Sequence, residues 1–431
     1  MKNPSSSKRP VVIFIPSLIF GGAEKVAVQL ASHLSKTRRV SFLTLEKGAE
    51  FDIPDGVSTV CLSSLDGRAS PLLKILFFPV HLFRAWRFFR KNRNVITISF
   101  MMRTSLFAAL LRLPNLVFSL HIHASTFFAT DKLGPLISLV RNLSYKLLLR
   151  RLNSRAAVTT VPSRLAAVDL VDNFGFDPAR VRTVYNPLEL ERISELSKEH
   201  VPESWSHIFD GLTLVNHGRL TDQKGHANLL RMFSLVKKSV PEAKLLLVGD
   251  GELRSFLMDF SRNLGLRPVF LPSASSVPKD ADVFFAGFQK NPYKFLARSD
   301  IFVFPSLWEG FPVALIEACA VGLPIIAADC KSGPRELLAP DSDISSSASE
   351  PEFSDFGVLM PSLLPCRVDF SNPSLKACEK EKTWADIIIK FLRDSSLRKR
   401  FSSLAKKRAE DFSFEAIMKE WDDVLRSASG K

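Results

Sequence analysis

The sequence contains no run of 18 consecutive apolar residues, so none of its helices is expected to span a bilayer. It has five cysteines (Cys61, Cys319, Cys330, Cys366 and Cys378), and no two have C-x-x-C spacing. Scattered and odd in number, they fit neither a disulfide framework nor a zinc site and point to a reducing, cytoplasmic compartment. Acidic residues are scarce in one stretch. Between Gly67 and Val168, 16 Lys or Arg accompany a single acid, Asp131. Residues 1–200 hold 28 basic and 14 acidic side chains and the remainder holds 30 of each, so the net charge of +14 belongs to the first half. So local an excess calls for an anionic partner, a membrane surface or a nucleic acid. Near the start only Val11 to Ile15 form an unbroken apolar run. Pro10 and Pro16 bracket it, which suits a β-strand and not a secretory leader.

With 431 residues and 46% apolar content, the chain is expected to form two or three domains with substantial cores. Its most informative stretch is Ile301 to Ala328. The apolar run Ile301–Phe304 reads as a buried parallel strand that ends at Pro305. A turn follows, Ser306 to Pro312, carrying Glu309 and Gly310. A helix is expected from about Val313, with Pro312 in its first turn, and Gly322 and Pro324 stop it before a second strand, Ile325–Ala328. Glu317 lies one turn into that helix. Two carboxylates and a helix N-terminus therefore meet at the carboxyl end of a strand, where open α/β sheets bind ligands.

The first half alternates strands and helices. Val11–Ile15 leads to Gly21-Gly22-Ala23-Glu24 and a helix with Val26, Leu30 and Leu34 on one face. Leu72 to Arg93 reads as an amphipathic helix. Leu82, Phe83, Trp86 and Phe89 share one side, and Arg84, Arg87, Arg90 and Lys91 share another. Aromatics opposite basic residues describe a helix lying on anionic lipid; a core helix with solvated cations is the alternative. No nucleic-acid motif accompanies the patch, so nucleic acid is not expected as a partner. Strands at Val95–Phe100 and Leu116–Leu120 follow, the second running into His121-Ile122-His123. Either imidazole is placed to bind ligand or move a proton, and no third ligand lies near enough in sequence to make a metal site. Leu136–Leu152 is a second basic amphipathic helix. Glu189 to Ser206 is the candidate linker.

The second half restarts with a strand, Leu212–Val215, then His217 to Gly225, which holds Arg219 and Lys224 before a helix. Two cations beside a helix N-terminus suit a diphosphate. Val248-Gly249-Asp250-Gly251-Glu252 is too short for a dinucleotide fingerprint. Asp341 to Asp355, rich in Ser and acids, reads as a mobile insertion, and its Asp341-Ser342-Asp343 is assigned no metal.

These segments together resemble the group 1 (family 4) retaining glycosyltransferases: E-x7-E at Glu309 and Glu317, the Gly21-Gly22 loop, Arg219 with Lys224, the Gly249 to Glu252 segment and Ser332 to Glu336. The resemblance implies a GT-B fold, two Rossmann-like doubly wound domains facing across a cleft. The expected boundaries are residues 1–190 for the acceptor and membrane-facing domain, 191–206 for a linker, 207–395 for the nucleotide-sugar domain and 396–431 for helices packing back across both. Carried onto this sequence, Arg219 and Lys224 hold the donor diphosphate and Glu317 the ribose hydroxyls. Glu309 meets the donor sugar, and His121 or His123 the reacting centre. Gly21, Gly22, Gly310, Phe311, Pro312 and Val313 complete the donor site. The activity implied is metal-independent retaining transfer, with no cofactor, from a nucleotide sugar such as UDP-sugar. The basic aromatic first half points to a lipid-linked or cell-envelope glycan acceptor at the inner membrane face. A soluble-acceptor transferase and a non-enzymatic nucleotide- or nucleic-acid-binding protein are the alternatives.

Overall fold

The computed structural model describes residues 8–429 except 20, 122, 130–148, 150–152 and 275. The expected helix over Leu136–Leu152 therefore lies outside the described residues, apart from Leu149. Contacts divide the chain into two units, residues 1–187 with 415–431, and residues 188–414.

The first unit is built on a seven-stranded parallel sheet. Its strands are β1 (Val11–Ile15), β2 (Val40–Thr44), β3 (Val57–Cys61), β4 (Ile96–Phe100), β5 (Leu116–Ser119), β6 (Val158–Val161) and β7 (Val181–Thr183). Their order is β3-β2-β1-β4-β5-β6-β7, so the winding reverses between β1 and β4. Val11 to Ile15 are all buried, as a strand covered on both faces requires. Helix Gly22–Ser35 buries Val26, Leu30 and Leu34, the expected stripe. The Leu72–Arg93 segment is two helices, Pro71–Leu76 and Phe78–Lys91. Pro79 explains the break, because it has no N–H to continue the first helix and suits the opening turn of the second.

The second unit holds eight strands: β8 (Thr213–His217), β9 (Lys244–Val248), β10 (Pro268–Phe270), β11 (Val283–Phe285), β12 (Ile301–Phe304), β13 (Ile325–Ala328), β14 (Glu352–Phe353) and β15 (Val358–Met360). The order is β10-β11-β9-β8-β12-β13-β15-β14, parallel except for the β14–β15 edge pair. Here the winding reverses between β8 and β12. The segment expected as a linker carries helix Leu190–Ser197 and belongs to this unit. Of the C-terminal helices, Ser395–Glu410 lies in the second unit and Phe414–Ala428 almost wholly in the first.

Two expectations are corrected. Cys366 and Cys378 form a disulfide, with Cα atoms 6.6 Å apart. The intervening loop folds back because Arg231 and Asn228 both donate to the Cys366 carbonyl at 2.8 Å, while Cys378 caps helix Glu379–Arg393. The cysteine pattern thus no longer argues for a reducing compartment. The acidic stretch 341–355 is tied down as well. Buried Arg335 pairs with Asp329 at 2.5 Å and with Glu352 at 2.8 Å, and Glu352 begins β14.

Candidate functional site

The turn after β8 and the turn after β12 come together because those strands are neighbours at the winding reversal. Asn216, buried in β8, fastens the pair by donating to the Val303 carbonyl at 2.8 Å. His226, at the start of the next helix, meets the Asn216 side-chain oxygen at 2.9 Å. Burial first, then the Lys224 cation, pushes the His226 imidazole down to about 3, so this ring is neutral.

Gly225 closes the β8 turn at φ +65°, and a Cβ there would lie 2.2 Å from the Pro305 carbonyl oxygen. The two turns thus touch through backbone where only glycine fits. The Gly249–Glu252 segment supports the first turn from below. Gly218 N–H donates to the Val248 carbonyl and Leu220 N–H to that of Asp250, each at 3.0 Å. A Cβ on Gly249 would stand 2.0 Å from the Gly218 oxygen.

At this junction Lys224 Nζ meets Glu309 Oε1 at 2.6 Å, and the two side chains are 16% and 8% exposed. Gln223 Nε2 donates to the Trp308 carbonyl at 2.8 Å and to Glu309 Oε2 at 3.3 Å. The Glu309 backbone is held on both sides, its N–H donating to the Lys331 carbonyl at 2.8 Å and its carbonyl accepting from Ser332 N–H at 3.1 Å. Ser332 Oγ also donates to the Gly310 carbonyl at 2.6 Å. Asp222 accepts the Arg367 guanidinium, which lies over the Trp308 ring at 5.5 Å. Arg219 is exposed, and no ion pair to it occurs among the described residues.

The helix after the second turn is Val313–Val321, and Pro312 is its N-cap, not a first-turn residue. No side chain caps this end, so the first-turn N–H groups of Val313 and Ala314 are left for solvent or a ligand. Pro312 supplies no N–H, and donors from Phe311 to Ala314 are Phe311, Val313 and Ala314. Glu317 is 3% exposed; Tyr293 OH donates to its Oε1 at 2.8 Å, and His217 Nδ1 lies 3.5 Å from its Oε2. Sequence reasoning passed over both partners. The only signal was their position at the carboxyl end of β8 and in the helix entering β12.

In the first unit, Gly21 is the N-cap of helix Gly22–Ser35, the first helix after β1. A Cβ on Gly21 would fall 2.2 Å from Glu24 Oε2. The two candidate histidines differ in surroundings. His123 is 7% exposed, its Nδ1 lying 2.9 Å from Thr126 Oγ1 in the following turn and 3.7 Å from Asp169 Oδ2 on helix Arg164–Phe174. His121 stacks on Phe100 with centroids 5.3 Å apart, and its Nε2 lies 3.0 Å from Ser119 Oγ. Burial pushes its imidazole down to about 4, leaving a neutral ring.

Helix Phe78–Lys91 buries His81, Ala85 and Phe89, with Phe78, Leu82 and Phe88 packed alongside. Leu82 and Phe89 therefore face inward, contrary to the even division into an apolar and a basic side. Phe83 and Trp86 are instead 60% and 44% exposed, on the same arc as Arg84, Arg87, Arg90 and Lys91. A merely solvated basic face would have both aromatics inside. Arg84 is anchored, donating to the Leu62 carbonyl at 2.6 Å. No described helix is long and apolar enough to cross a membrane.

Residues 202–347 match the family model described as glycosyl transferases group 1, and residues 20–192 the one described as glycosyltransferase family 4. The chain is 39% identical over 246 residues to an uncharacterized glycosyltransferase of Methanocaldococcus jannaschii, covering 56% of each chain. It therefore spans little more than half the length of that relative. It is 28% identical to the N-acetylgalactosamine-N,N'-diacetylbacillosaminyl-diphospho-undecaprenol 4-alpha-N-acetylgalactosaminyltransferase of Campylobacter jejuni, over 93% of this chain and 94% of that one. Anabaena HepE in complex with UDP-glucose is similar in structure, with a TM-score of 0.69 and 18% identity over 97% and 100% of the two chains. WaaG, a glycosyltransferase involved in lipopolysaccharide biosynthesis, gives 0.67 at 15% identity over 96% and 99%. These structural likenesses establish a GT-B fold.

Proposed function

The chain belongs to the group 1 (family 4) glycosyltransferases, and on that premise we propose that it transfers a sugar from a UDP-sugar to a lipid-linked or cell-envelope glycan at a membrane surface. The observation that carries this reading is the junction at β8 and β12, where Lys224, Glu309 and an uncapped helix N-terminus converge, with Arg219 in the same turn as Lys224. Glycosyl transfer develops negative charge on the departing diphosphate and positive charge at the anomeric carbon. Fixed cations and backbone N–H groups stabilise the first of these without a metal.

In this reading Arg219, Lys224 and the N–H groups of Val313 and Ala314 hold the diphosphate. Glu317, oriented by Tyr293, takes the ribose hydroxyls. Glu309 is assigned to the donor sugar, with Gly310 and Phe311 beside it in sequence. The bond from the anomeric carbon to the β-phosphate oxygen breaks, and its electrons stay with the diphosphate. The acceptor hydroxyl bonds to the same face of that carbon and passes its proton to the departing phosphate, so configuration is retained. In the first unit, the neutral His121 is the candidate to contact a ligand beyond the carboxyl end of β5. UDP is favoured by the solved HepE complexes, and a polyprenyl-diphosphate acceptor by the name of the Campylobacter relative. The exposed Phe83 and Trp86 among arginines support a membrane-surface acceptor.

Transfer from a panel of UDP-sugars to lipid-linked glycan, with Lys224→Ala and Glu309→Ala as comparisons, tests the reading. Loss of one such charge-stabilising group is expected to cost roughly 100- to 1000-fold in rate. Undiminished turnover in both variants would overturn the assignment. Salt-sensitive RNA binding with no transfer would favour the non-enzymatic alternative.

A further inference from the structure

Beside the exposed aromatics, a groove of about 500 Å3 runs between the end of helix Phe78–Lys91 and the turn before β5, lined by Trp86, Arg90, Arg93, Leu111, Arg112 and Pro114 among others. Arg90 lies 5.1 Å from the Trp86 ring centre. No ion pair among the described residues involves Arg90, Arg93 or Arg112, and Asp131 is the only acid between Gly67 and Val168. Three unneutralised guanidinium groups around an apolar floor match a ligand with a phosphate at one end and hydrocarbon at the other. The apolar surface continues outward along Phe83, Val80, Leu76 and Ile75, which are 39–68% exposed. A polynucleotide has no use for such a stripe, whereas the boundary between headgroups and acyl chains does.

The groove sits at the amino end of the first sheet, since β4 starts at Ile96 and β5 at Leu116. Gly21 and His121 lie at the opposite, carboxyl end. Five residues of strand separate the two edges by roughly 16 Å. A lipid in the groove is therefore not the reacting acceptor.

We propose that this groove binds the phosphate headgroup of one anionic phospholipid and so docks the first unit on the bilayer, with the Leu76–Trp86 stripe entering the interface. This rests on the membrane-surface reading above. Free phosphate would gain the cations but leave the apolar wall uncovered, so the lipid is the occupant assigned.

Flotation of the full chain with phosphatidylcholine vesicles, with and without phosphatidylglycerol, tests it. Wild type is expected to float preferentially with phosphatidylglycerol. Arg93→Ala with Arg112→Ala should lower that partitioning about thirtyfold, two basic side chains at roughly 1 kcal/mol each. Arg93→Lys with Arg112→Lys should restore most of it. Removing the exposed Lys279 and Lys376 as alanines should change it less than about threefold, because neither lines the groove. Inorganic phosphate should displace the protein no better than chloride at equal ionic strength. The proposal is overturned if the groove variant floats like wild type, or if phosphate competes specifically. Loss of flotation in Val80→Ser with Phe83→Ser but not in the groove variant would leave the membrane reading standing and remove the headgroup site. Absence of wild-type flotation would remove both.

Discussion

Replacing Lys224 by Met and Glu309 by Gln, singly and together, separates the structural from the chemical role of the pair. The ammonium and carboxylate are 2.6 Å apart and mostly buried. In Lys224→Met, the Glu309 side chain keeps, among the described residues, the 3.3 Å contact from Gln223 on its other oxygen. In Glu309→Gln, a mostly buried ammonium loses its carboxylate. Either single change is expected to destabilise the second unit by about 2–4 kcal/mol, toward the low end because Lys224 is partly hydrated. For a unit spanning residues 188–414 this is a fall of roughly 4–16 °C in its melting temperature. The double variant removes both charges and should recover much of the loss, with a coupling of about 1–3 kcal/mol by urea denaturation. Transfer should not recover, because neither replacement opposes diphosphate charge. Additive stability losses within about 0.5 kcal/mol would refute the coupling. A stable double variant with wild-type transfer would refute the catalytic assignment.

Gly225→Ala should destabilise by about 2 kcal/mol or more in urea melts, since alanine at φ +65° would press on the Pro305 oxygen. His226 and His121 stay neutral in the fold, at about 3 and 4, while an unfolded imidazole titrates near 6.5. Their folded values are depressed, so this stability is present above about pH 6.5 and is lost as pH falls below it. The loss is roughly 1.4 kcal/mol per pH unit for each ring, and His226→Gln should flatten the slope by one such increment in denaturant midpoints from pH 7 to pH 5. Tyr293→Phe should weaken UDP binding by roughly 1–3 kcal/mol in calorimetry, because a buried carboxylate loses its hydroxyl donor. Arg367→Ala should lower UDP affinity about tenfold, by freeing Asp222 and Trp308, with Arg367→Lys restoring only part because lysine lacks the planar fork.

The sequence revealed the strands that are apolar along their whole length and the turns that follow them. Ile301–Phe304, Ile325–Ala328 and Val11–Ile15 appear with the expected bounds. Such buried parallel strands leave a continuous apolar run. β3 left none, because four of its five residues are exposed at the sheet edge. Lys224 and Glu309 were each legible, but their contact spans 85 residues and depends on β8 lying beside β12. The same holds for Tyr293 and His217 around Glu317. The Cys366–Cys378 bond depends on where Arg231 and Glu381 pin the loop, which spacing alone does not encode. The Phe78–Lys91 helix was correctly amphipathic but misoriented. Its buried arc includes His81, whose Nε2 meets Ser63 Oγ at 2.9 Å, so a polar residue lies in the inward stripe.

The central claim is that the β8–β12 junction binds a nucleoside diphosphate. Isothermal titration of UDP into wild type, Lys224→Ala and Glu317→Ala tests it most directly. Saturable binding to wild type, weakened at least tenfold in each variant while their far-UV spectra stay unchanged, is the expected result. Equal UDP affinity in all three folded proteins, or no binding to any of them, would contradict it.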